Sequence, residues 1–163
     1  MSERITSFWP DEIRPELLSP RAILKAQAEA LANQTGGVLL AEIKSTQTDS
    51  GIVELNFDIV VPALNGYRHR ILTVAHDKDL PYPAMIDAET FRPGSLRHLQ
   101  FFLERGELSS GLSQSRADSD TEFIDLVKMV LRSTSVLSAA QSLIVRASEA
   151  LSEDDHQSQP VSS

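Results

Sequence analysis

The chain has no cysteine, which removes disulfides, thiolate metal sites and a cysteine nucleophile together. No stretch approaches the roughly 18 apolar residues of a membrane-crossing helix. The opening M-S-E-R-I-T-S-F-W-P lacks the apolar core of a signal peptide. These gaps lead us to expect a soluble protein of the bacterial-type cytoplasm. Positive charge is also scarce. Fifteen Lys and Arg against 23 Asp and Glu leave a formal charge of −8, which disfavours long-range attraction to nucleic acid or an anionic membrane. The common linear signatures are missing as well: P-loop, G-x-G-x-x-G, H-E-x-x-H, EF-hand loop and G-x-S-x-G elbow. No repeat is visible. We therefore expect no cofactor and no metal.

What the chain does contain is centred on residues 52–77, two β-branched and aromatic runs on either side of Asn65-Gly66. That dipeptide between alternating apolar residues signals a hairpin. A two-residue loop would pair Phe57 with Val74 and Leu55 with His76. A four-residue loop, Ala63 to Gly66, would pair Phe57 with Leu72 and Leu55 with Val74. Either register places Val53, Leu55, Phe57, Ile59 and Val61 on one face with Leu72 and Val74, leaving Glu54, Asn56, Asp58 and Thr73 on a wet one. Upstream, Val38 to Gln47 reads as another strand. A three-residue loop Asp49-Ser50-Gly51, with Gly51 left-handed, pairs Ile43 with Phe57 and Ala41 with Ile59, and keeps wet and dry faces apart.

Residues 1–18 form an N-terminal arm, expected to lie across the domain with Trp9 as its anchor; the alternative leaves Trp9 exposed as a contact point. Ser19-Pro20 is a cap followed by a first-turn proline. It opens a helix that stops at Gly36-Gly37, with Ile23, Leu24, Ala28 and Leu31 as its apolar stripe and Gln27 at the margin as an amide bonded to backbone. After His76, Ala84 to Ile86 reads as a short edge strand. A helix follows over 94–105, with Leu96, Leu99, Phe102 and Leu103 on its apolar side, and then a Ser-rich loop over 107–118, a lid or a plain linker. Ser119 and Glu122 have capping-box spacing ahead of Phe123, Leu126, Val127, Val130 and Leu131. Arg132 to Ser135 favours a break into two helices over one bent one. The last helix carries Leu137, Ala140, Ile144, Ala147 and Leu151. Residues 152–163 read as a disordered acidic tail.

The fold expected over 19–151 is thus a single α+β domain, an antiparallel meander of three to four strands packed on one face by an N-terminal helix and C-terminal helices. Candidate chemistry is sparse. His76 with Asp77 and Asp79 at a strand end could serve as an acid-base site, but neighbours on a strand point apart. His69 lies about 23 Å along the same strand, too far to share a metal. Arg68 and Arg70 are expected to pair with nearby carboxylates rather than with phosphate. Ile124 and Met129 lie partly outside the main stripe of their helix, as if it had apolar neighbours on two sides. The reading these features favour is a non-catalytic protein-binding or adaptor protein, contacting another protein or itself as a homodimer through Trp9, Ile124 and Met129. A small hydrolase or ligand-binding enzyme at the His76 end is the alternative.

Overall fold

The computed structural model describes residues 7–10, 17–91 and 114–157. The helix expected over 94–105, including His98, and residues 107–113 of the expected loop lie outside these. In chain order the elements are α1 (Pro20–Gln34), β1 (Leu40–Gln47), β2 (Ile52–Val61), β3 (Tyr67–Asp77), β4 (Ala84–Ala88), β5 (Gln114–Ala117), α2 (Asp120–Leu131) and α3 (Thr134–Gln157). Among the described residues the strands form one antiparallel sheet in the order β1-β2-β3-β4-β5. The architecture is α+β, with five strands rather than three or four.

Turn chemistry sets the first hairpin. Gly51 adopts φ +85°, its N–H bonds Thr48 O at 3.0 Å, and Ile43 faces Phe57 as Ala41 faces Ile59. The second hairpin keeps the pairs expected for the four-residue loop at its open end and departs from them toward the turn. Near its open end Phe57 faces Leu72 and Leu55 faces Val74, but between Phe57 and Asp58 the register slips, so that Asp58 faces Arg70 and Val61 faces Tyr67. Ile71 is the extra residue, a β-bulge. The loop becomes five residues because Pro62, which has no N–H for the ladder, instead starts a 3-10 turn over Pro62–Leu64, and Asn65 and Gly66 follow at φ 55° and 73°.

The bulge has a physical logic. Strict alternation would expose either Ile71 or Leu72, whereas here both are buried, at 5% and 1% exposure. It also turns Arg70 away from the core face and sets it opposite Asp58. The outer face is consequently less wet than alternation implied, since Asp58 and Val60 are also buried there.

The inner face holds Leu55, Phe57, Ile59, Leu72, Val74 and Ile86, packed against Ile23 and Leu24 of α1, Phe123, Val127 and Val130 of α2, and Leu143 and Ala147 of α3. β4 is an interior strand, not the expected edge, because β5 pairs beyond it. The sequence Q-S-R-A shows neither the alternation nor the β-branching that marks a strand, so residues 114–117 read as loop. In α3 the buried line runs through Leu143, missed in the sequence, while Leu137 and Leu151 are half exposed. The helix also continues to Gln157, six residues into the stretch expected to be a disordered tail.

Candidate functional site

At the His76 end of the sheet, His76 Nδ1 lies 2.7 Å from the backbone oxygen of Asp77, and Asp77 Oδ1 accepts the Asp79 N–H at 2.8 Å. The carboxylate thereby closes its own turn. His76 faces Val53 and Ala84 across the ladder. Among the described residues no carboxylate bonds the imidazole, and no group of three or more His, Asp or Glu could hold a metal. His69 faces Ile59, toward the far end of β3.

The basic cluster is internally compensated. Arg70 Nε donates to Asp58 Oδ1 at 2.5 Å, Arg68 lies 3.6 Å from the other Asp58 oxygen, and Arg68 also pairs with Glu42. Two guanidinium groups meeting two carboxylates leave no net charge for a phosphate. Beside them Thr73 Oγ1 donates to Asn56 Oδ1 at 2.9 Å.

Trp9 is 76% exposed and Phe8 93%, so neither anchors the arm. Farther along, the Leu18 N–H donates to Asp120 Oδ2 at 3.1 Å, and the Tyr82 O–H donates to Leu18 O at 2.6 Å. The first bond ties the entry to α1 to the start of α2, and the second ties it to the segment ahead of β4.

The site that emerges lies where those helices run side by side. Leu18, Ala22, Ile23, Ala26 and Gln27 on one side, and Ile124, Val127, Lys128, Leu131 and Arg132 on the other, enclose a groove of about 370 Å³. Ile23 and Val127 are buried at its floor. The groove exists because α1 places alanine at 22 and 26, one turn apart on the same face, where a longer side chain would fill the space. Lys128 and Arg132 also fall one turn apart, and both are exposed. Neither makes an ion pair or side-chain hydrogen bond among the described residues. Gln27, expected to bond to backbone, likewise has no side-chain hydrogen bond among the described residues. An apolar trough is thus edged by two cations and an open amide.

Of the contact residues singled out in sequence, Ile124 lines this groove and Met129 is 39% exposed. The expected second apolar neighbour of α2 is α1, on the Ile124 side. The groove as a whole had no signature, because its walls are about 100 residues apart in sequence. Comparison with protein-family models, curated proteins and solved structures finds no match for this chain.

Proposed function

We propose that this chain is a non-catalytic protein-binding module whose α1–α2 groove receives an amphipathic helix with acidic residues beside its apolar stripe. The observation that carries this reading is the pairing of an apolar trough with Lys128 and Arg132, two cations that meet no counter-charge among the described residues. Helix-in-groove recognition uses this combination: apolar residues at i, i+3, i+4 and i+7 fill the trough, and charges along its edge fix direction. Both cations also sit at the C-terminal end of α2, where they offset the helix dipole. Two full charges exceed the roughly half charge of that dipole, so a net attraction for carboxylates is left over. A cytoplasmic adaptor without catalytic machinery fits this arrangement.

The test is fluorescence anisotropy with a labelled model helix bearing leucines at that spacing and glutamates one turn apart. Binding should weaken at least tenfold when Ala26→Trp fills the trough, and a glutamine version of the peptide should bind less well. If Ala26→Trp binds as tightly as the parent, the groove is not the site.

A further inference from the structure

The sheet ends differently at its two sides. β5 is a four-residue edge, whereas β1 runs eight residues, Leu40–Gln47, without proline, glycine or a register break against β2. Among the described residues no strand pairs with its outer side, although the Glu42 side chain accepts a hydrogen bond from Arg68. Long regular edges are usually shortened, bulged or covered, since their free N–H and C=O groups template another strand.

The side chains of β1 specify which strand fits. Glu42 and Lys44 project on the outer face two residues apart, and Ala41 and Ile43 lie half-buried on the inner face. In an antiparallel pairing with a second β1 centred on Ile43, Glu42 stands opposite Lys44 of the second copy and Lys44 opposite its Glu42. Ile43 meets Ile43, Ala41 meets Ser45, and Leu40 meets Thr46. Sliding by two residues one way sets Glu42 against Glu42; sliding the other way sets Lys44 against Lys44. Sliding by one puts Glu42 against Ile43 and mixes the faces. Only the Ile43-centred register places opposite charges across both cross-strand positions. Such self-complementarity is what a two-fold interface requires. Lys44 makes no ion pair among the described residues, and the pairing supplies one.

We infer that β1 is a homodimerisation edge, joining two copies through Ile43-centred antiparallel strands into one continuous ten-stranded sheet. This is independent of the groove, which lies between α1 and α2. Seven residue pairs, Leu40 to Thr46 on each copy, make an interface smaller than the roughly 2,000 Å² at which permanent ones begin, so the dimer should dissociate on dilution.

Sedimentation equilibrium tests this directly. The wild-type chain should shift from monomer toward dimer between about 1 and 300 μM. Lys44→Glu and Glu42→Lys, each verified as folded by circular dichroism, should be monomeric alone. Mixed, they should dimerise, because one edge then carries two lysines and the other two glutamates. Amide exchange on the wild type gives a second readout that needs no variant: alternate amides of β1 should slow with rising protein concentration. A wild-type monomer throughout, variants that dimerise like the wild type, a mixture that stays monomeric, or β1 exchange that ignores concentration would each overturn the inference.

Discussion

Asp58 shows how one residue's surroundings set the sign and size of a substitution. Its side chain is 5% exposed and is held between Arg70 and Arg68, which retain 53% and 35% exposure. Removing the carboxylate leaves two cations that water can still reach. Removing the cations leaves a buried charge. Asp58→Ala should therefore cost about 1–3 kcal/mol, and the double change Arg68→Ala with Arg70→Ala about 3–5 kcal/mol, measured by urea denaturation. Equal losses would mean that water solvates Asp58 in the folded sheet. Tyr82 makes a pH-dependent contribution. Burial, and secondarily the Asp120 carboxylate, push its hydroxyl up from 10.0 to about 12. Its ring also meets Phe123 edge-on at 6.1 Å. With the folded value above the unfolded one, the linked stability is complete below pH 10 and is lost between pH 10 and 12. Tyr82→Phe should cost about 0.5–1.5 kcal/mol at neutral pH and should flatten that alkaline decline. A variant that declines as steeply as the parent would place the titration elsewhere.

Among the elements, α2 depends most visibly on its first turn. Ser119 Oγ accepts the Glu122 N–H at 3.2 Å, and Glu122 Oε2 accepts the Asp118 N–H at 2.7 Å. The reciprocal bond reaches one residue earlier than the usual box. Ser119→Ala should lower stability by about 1 kcal/mol, read as a shift in the urea midpoint at constant slope. This cap was legible in the sequence, as was Ser19, which accepts the Ala22 N–H at 3.2 Å. Caps and tight turns are local, so a few residues determine them. The Asp49-Ser50-Gly51 turn was legible for the same reason, helped by an alternation that only one loop length satisfied. The β-bulge was not. Arg70-Ile71-Leu72 offers two adjacent apolar residues, and which one becomes the extra residue depends on Asp58 across the ladder. In α3, Leu137, Ile144 and Leu151 form one seven-residue series, and Val136 and Leu143 begin another next to it. Tertiary packing chose the second. Ile124 could be picked out because it breaks a local stripe, whereas nothing in the sequence marks Lys128 and Arg132 as the edge of a groove. Exposed cations in a last turn already have a role there, and only the neighbouring α1 turns them into the edge of a groove.

Taken whole, the molecule sets two electrostatic effects against each other. Its formal charge of −8 repels an acidic partner at long range, while Lys128 and Arg132 attract it once it is seated. Salt weakens both effects, since the Debye length falls from about 30 Å at 0.01 M to about 3 Å at 1 M, but they enter different rate constants. Screening the overall repulsion quickens encounter, and screening the seated pairs quickens escape. For the glutamate-bearing model helix, raising salt should therefore increase both the association and the dissociation rate in stopped-flow fluorescence. Changing Lys128 and Arg132 to glutamine removes two rim pairs worth about 0.5–1 kcal/mol each, a loss of roughly 5–30-fold in affinity. In that variant the dissociation rate should become indifferent to salt while the association rate still rises with it. A dissociation rate that keeps its salt dependence without those two cations would mean that the helix seats against other charges, and the groove would lose its claim as the binding surface.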